Sequence, residues 1–145
     1  MTIRLETHDR FAILTFDQPQ IRNAMTAEAR VEFRDHLARL ADDKNVQVVI
    51  VTGNEAAFCA GGDVRTMGET DAAKIRERMD CVAVSAEAVA SFPKVLIAAV
   101  AGHAAGAGVS VACLCDVIVA EETATFTFSH LKLALAPDWG LSWSL

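Results

Sequence analysis

The stretch KVLIAAVAGHAAGAGVSVACLCDVIVA, residues 94–120, decides the fold class. Lys94–Val100 is almost wholly apolar and reads as a buried strand. Gly102, Gly106 and Gly108 then turn the chain, Val109–Leu114 follows as a short buried helix, and Val117–Ala120 as another strand. The weakly polar run from Val95 to Val119 is long enough to cross a bilayer. Its glycines, with His103, Ser110 and Asp116, divide it into short elements that belong to a buried core instead.

Working outward, Val46–Val51 is a second strand rich in β-branched residues. Between it and residue 94, a helix is expected from Thr70 or Asp71 to Ser91, closed by Phe92 and Pro93. Thr26 is a plausible N-cap for an earlier helix through Leu40. Val31, Leu37 and Leu40 would form part of its apolar stripe, and Arg30, Glu32, Arg34 and Asp35 its wet side. Thr2–Thr7 and Phe11–Phe16, joined across His8, Asp9 and Arg10, read as an opening hairpin. Alternating strands and helices predict an α/β fold with a mostly parallel sheet and right-handed crossovers, in a single domain over 1–145.

Composition narrows the function. With 52% hydrophobic and 22% charged residues over 145 positions, the chain can bury a sizeable core. A net charge of −6 and a pI near 5.1 point away from nucleic-acid or membrane partners. Cys59, Cys81, Cys113 and Cys115 lack CxxC spacing and read as reduced, buried fillers, so no metal is expected. The opening MTIRLETHDR carries charges where a signal peptide needs an apolar run, and a cytoplasmic protein is expected.

Two glycine-rich corners follow strands: Phe58–Val64 (FCAGGDV) and Gly102–Gly108 (GHAAGAG). Small side chains let a ligand approach the main chain, and N–H groups leading into a helix can hold an anion or oxyanion. Neither corner carries the dinucleotide fingerprint or a P-loop lysine, so NAD and ATP are not indicated.

Read with their flanks, IRNAM (21–25), VVIVTGNEAAFCAGGDV (48–64) and residues 94–126 occur in the order and spacing of a known family. The chain resembles the crotonase, or enoyl-CoA hydratase/isomerase, superfamily from about Phe11 to Leu145. The resemblance implies the ClpP/crotonase fold, ββα units spiralling into a superhelix. It also implies an acyl-CoA substrate, with coenzyme A as part of that substrate rather than a separate cofactor, and assembly as trimers or hexamers. Gly62 and Ala107 match the positions whose backbone N–H groups hold the thioester oxygen, and a backbone donor is indifferent to alanine. Ala24, Ala60, Gly61, Asp63 and Val64 match the CoA-contact stretch. Arg22 and Arg65 are either phosphate contacts or solvated surface charges, and Asn23 and Asp116 brace turns.

The departures from the family pattern bear on reaction type. Ser110 and His130 stand where the family's hydratases carry two glutamates, so the two-carboxylate water site is missing. Asp138, in LAPDWG (135–140), matches the single carboxylate of the isomerase branch, although an ordinary Pro–Asp turn would look the same. His130 is either a substrate contact or a structural histidine, and Trp139 and Trp143 either wall an acyl pocket or pack in a core. The family's C-terminal helices are expected to be absent. The expected function is therefore double-bond isomerisation of an enoyl-CoA with Asp138 as base. The alternatives are another reaction of the family, such as hydration, and a non-catalytic CoA-binding or assembly domain.

Overall fold

The computed structural model describes residues 1–54 and 57–145. Strand β1 (Ile3–His8) and β2 (Phe11–Phe16) form the expected hairpin, in antiparallel register from Ile3 opposite Phe16 to His8 opposite Phe11. Ala12, Leu14 and Phe16 point inward at the two-residue period of a half-buried strand. β3 (Val48–Gly53) lies parallel to β2, β5 (Val95–Val100) parallel to β3, and β7 (Val117–Ala120) parallel to β5, giving the sheet order β1-β2-β3-β5-β7. β3 begins two residues later than expected: Val46 is buried ahead of it, and the Gln47 N–H is held by the Arg10 carbonyl at 2.8 Å.

Helix α1 (Ala27–Asp42) makes the crossover from β2 to β3, and the Thr26 hydroxyl caps it by accepting the Ala29 N–H at 3.1 Å. Its buried face is Ala29, Arg30, Phe33, Leu37 and Leu40, which corrects the expected stripe. Val31 is exposed, whereas positions 30, 33, 37 and 40 recur at the spacing of one helical face. Arg30 is therefore carried inside by geometry despite its charge. Helix α2 (Ala72–Ala90), capped by the Asp71 carboxylate, lies against α1 and buries Val82, Ser85 and Val89.

A second sheet was not foreseen. β4 (Ala57–Cys59), β6 (His103–Ala105) and β8 (Thr125–Thr127) run parallel in the order β4-β6-β8. The expected glycine corners thus contain short strands, too short to show a period. Each follows a strand of the large sheet, so β3-β4-α2 and β5-β6-α3 repeat as ββα units, the superhelical fold that the resemblance implies. Helix α3 (Ala107–Leu114) starts two residues earlier than expected and buries Ala107 to Ala112 without a break. Asn23 and Asp116 brace the chain as expected. Asn23 accepts the Gln18 N–H and donates to the Ala57 carbonyl at 2.7 Å, while Asp116 accepts the Leu96 N–H at 2.8 Å.

The cysteines carry no disulfide. Burial pushes the Cys59 thiol to about 11 and that of Cys115 to about 12, while Cys81 and Cys113 are only half-buried rather than core fillers. No helix among the described residues is long and apolar enough to cross a membrane.

Glu32 ties the N-terminus to α1. One carboxylate oxygen accepts the Thr2 N–H and hydroxyl, each at 2.6 Å, and the Ile3 N–H at 3.2 Å. Burial raises its pKa, but these donors outweigh that effect and hold it below the ordinary value. A depressed carboxylate stabilises the fold above its unfolded pKa and stops doing so as pH falls through the folded one. Glu32→Gln should therefore lower stability by roughly 1 kcal/mol at neutral pH, solvent screening keeping the effect small. Urea unfolding should show the difference from the unsubstituted chain shrinking as pH drops through the carboxylate range.

Candidate active site

The two glycine corners meet. Met25 forms an isolated parallel bridge with Gly62: the Met25 N–H donates to the Gly61 carbonyl at 2.7 Å and the Asp63 N–H to the Met25 carbonyl at 3.3 Å. In a parallel bridge this leaves the N–H of Gly62 itself on the opposite side. Ala107 opens α3, so its N–H has no acceptor within the helix. Among the described residues neither N–H is taken by a loop or turn bond, whereas those of Ala60, Gly106 and Ser110 are.

Closeness of the corners depends on the absence of side chains. A Cβ on Gly61, which has φ +100°, would stand 2.8 Å from the Ala105 carbonyl oxygen and 3.6 Å from the Ala107 nitrogen. A Cβ on Gly108 would stand 2.3 Å from the Cys59 carbonyl oxygen.

Both corners open on a cavity of about 520 Å³ walled by Ala60–Val64, Gly106 and Ala107 on one side and by His130, Asp138 and Trp139 on another. Asp138 follows a 3-10 turn over Ser129–Leu133, and its carbonyl accepts the Leu141 N–H at 3.0 Å, at the start of helix α4 (Leu141–Ser144). It is thus a turn residue and a cavity residue at once. His130 is buried and its Nε2 lies 3.3 Å from the Asp138 carboxylate, a partner the sequence did not disclose. Its Nδ1 is buried with no partner among the described residues.

Other expected residues fall differently. Ser110 is fully buried, its hydroxyl turned back to the Gly106 carbonyl at 3.3 Å, and it takes no part in the cavity wall. Ala24 and Arg22 also lie off that wall, although the Arg22 carbonyl supports the loop by accepting the Ala60 N–H at 3.0 Å. Arg65 forms a two-point pair with Asp63, at 2.9 and 2.8 Å. That pair is the main cause holding the Asp63 carboxyl below its ordinary pKa, so each neutralises the other. Trp139 is buried and lines the cavity, whereas Trp143 is exposed and does neither of the things expected of it. His103 lies on β6 beside the Thr125 hydroxyl, away from the cavity.

Sequence reasoning missed the far wall, formed by Arg78, Met79 and Val82 of α2, Lys132, and the buried Arg30 of α1. Only Arg30 left a signal, its place at helical spacing from Phe33 and Leu37.

Two glycine-rich corners whose Gly62 and Ala107 N–H groups take no loop or turn bond line one cavity with Asp138, on a ββα superhelix. Residues 6–145 match the family described as enoyl-CoA hydratase/isomerase, and the chain belongs to it. It is 37% identical over 132 residues to the 2,3-dehydroadipyl-CoA hydratase of Escherichia coli, with 90% of this chain and 51% of that protein covered. An enoyl-CoA hydratase from Polaromonas sp. JS666 superposes with a TM-score of 0.91 at 33% identity, covering 98% of this chain and 56% of the other. One from Mycobacterium avium gives 0.88 at 29%, covering 99% and 56%. The chain spans about half the length of the curated relatives it matches.

Crowding separates the two glycines of the first corner. Gly61→Ala meets a carbonyl in a left-handed conformation and should cost about 1–3 kcal/mol or more. At Gly62 a Cβ would meet only the Met67 methyl at 3.5 Å, so Gly62→Ala should stay within about 1 kcal/mol. Thermal unfolding of the two variants checks the order.

Proposed function

We propose that this chain carries the proton-transfer centre of an enoyl-CoA isomerase. The observation that supports this most is the position of Asp138, whose carboxylate faces the same cavity as the Gly62 and Ala107 corners. Ser110 offers no base from the core, and Asp63 is engaged with Arg65. One carboxylate suffices to move a double bond. Asp138 takes a proton from C2 of a 3-enoyl thioester, the electron pair passes to the thioester oxygen, and the same proton is returned at C4. The N–H groups of Gly62 and Ala107 stabilise the enolate oxygen more than the ground-state carbonyl, which is what lowers the barrier. His130 Nε2–H steadies the carboxylate from behind. No cofactor enters, because coenzyme A is part of the substrate.

Ala60, Gly61, Asp63 and Val64 supply the loop against which the CoA would lie, with Ala24 behind it. Hydration is the second reading, and the names of the relatives favour it. A homotrimer or hexamer fits the apolar exposure of β7, where Val117, Ile118 and Val119 all meet solvent, together with Phe126 and Phe128 beyond it.

Asp138→Asn keeps shape and removes basicity, so it should lower the isomerisation kcat by about a hundredfold to ten-thousandfold with little change in CoA binding. Ala107→Pro deletes one donor at a first-turn position that tolerates proline, and should cost about a hundredfold or more while the circular dichroism stays native. Ser110→Ala should cost far less. Efficient hydration of 2-enoyl-CoA by the unsubstituted chain, or full isomerase activity in Asp138→Asn, would overturn the assignment.

Association through β7 has its own test. Sedimentation velocity should show concentration-dependent self-association that Ile118→Lys weakens without loss of the folded spectrum.

A further inference from the structure

Arg30 breaks the rules for an ordinary helix residue in three ways. It is only 7% exposed, it sits in the first turn of α1, where the helix dipole already presents positive charge, and among the described residues it has no carboxylate partner. Among the described residues its one side-chain hydrogen bond runs from a terminal guanidinium nitrogen to the Met25 carbonyl at 3.2 Å, and its Nε is buried with no acceptor. Asp63, an acid of the same wall whose carboxyl Arg30 also helps to hold below its ordinary value, is already paired at two points with Arg65. Met25 is the residue bridged to Gly62, so this guanidinium is anchored beside the first corner, and it lines the cavity along with Arg78 and Lys132. A buried fork of donors with its Nε unsatisfied and no ion-pair partner among the described residues, in a cavity wall with two further cations, suits a planar anion.

We propose that Arg30 binds a carboxylate at the far end of the acyl group, so that the preferred substrates are CoA thioesters of dicarboxylic acids. The proposal rests on the acyl-CoA reading given above. A phosphate of coenzyme A is the other source of a suitable anion. The deep burial of Arg30 against the apolar Val82 wall fits the acyl end better than the strongly hydrated nucleotide. A cation in this place also explains why a helix face otherwise made of Ala29, Phe33, Leu37 and Leu40 contains an arginine.

Equilibrium binding by calorimetry tests it with saturated, unreactive thioesters: adipoyl-CoA and glutaryl-CoA against hexanoyl-CoA, with coenzyme A alone as the phosphate arm. The chain should prefer the carboxylate-bearing thioesters by roughly tenfold to a hundredfold, and Arg30→Met should abolish or reverse that preference. Arg30→Lys should retain part of it. The thermal midpoint of Arg30→Met should hold or rise, since an unpaired buried cation is replaced by an apolar chain of similar length. Equal affinity for adipoyl- and hexanoyl-CoA overturns the carboxylate site while leaving the acyl-CoA reading intact, whereas failure to bind any thioester overturns both. A loss on coenzyme A alone as large as on adipoyl-CoA assigns Arg30 to a phosphate and overturns the proposal. Unfolding of both variants makes the residue structural, with the same result.

Discussion

At the centre of this molecule main chain rests on main chain. Gly61 lies against Ala105 and Gly108 against Cys59, at separations where any side chain would overlap a carbonyl oxygen. Hydrogen at those two positions lets β4 and β6 pair and lets α3 start directly beside the loop that follows β4. The first N–H groups of a helix have no partners of their own, so this close approach sets the Ala107 N–H near a second loop whose Gly62 N–H takes no loop or turn bond. Ala107 can stand there because the donor belongs to the peptide and not to the side chain. Asn23 helps fix the approach, its amide linking the Ala57 carbonyl at the start of β4 to the Gln18 N–H in the turn after β2.

What could be read from the sequence follows from the length of each pattern. The hairpin, α1, α2 and β5 each extend over several periods of a strand or helix, and their spans were legible to within about two residues. β4, β6 and β8 are strands of three residues each, and no period exists in so short a segment. The glycine corners were legible because only glycine suits the crowding at Gly61 and Gly108. The α2 wall was not, because nothing local to Arg78 or Val82 records which loop they will face. At Arg30 local polarity pointed outward and helical spacing pointed inward, and spacing prevailed. The pairing of His130 with Asp138 spans a loop reversed at Ala134, which has φ 53°, and no helix or strand offset would have suggested it.

Charge is distributed against the average of the molecule. The chain carries a net charge of −6, yet the cavity wall holds Arg30, Arg78 and Lys132, and one of its two carboxylates is neutralised by Arg65. A local field opposite in sign to the whole draws an anionic ligand to one place on an otherwise repelling surface. The same distribution separates the two acids. Asp63 is held at two points by the Arg65 guanidinium, which keeps its carboxyl below the ordinary value, whereas Asp138 lies beside the His130 imidazole.

The turn carrying Asp138 shows why a structural and a chemical reading of Pro–Asp need not compete. Trp139, a bulky residue, has φ 53°, and Gly140 follows at φ 71°, a backbone path that costs energy at tryptophan unless packing enforces it. Packing does enforce it: Trp139 and Leu141 are both buried. With those two side chains inward, the chain reverses at this turn, and the Asp138 carboxylate lies 3.3 Å from His130 Nε2 in the same wall of the cavity. The strain at Trp139 is held by the core, so the turn keeps Asp138 in the cavity wall beside His130, with its side chain one-third exposed.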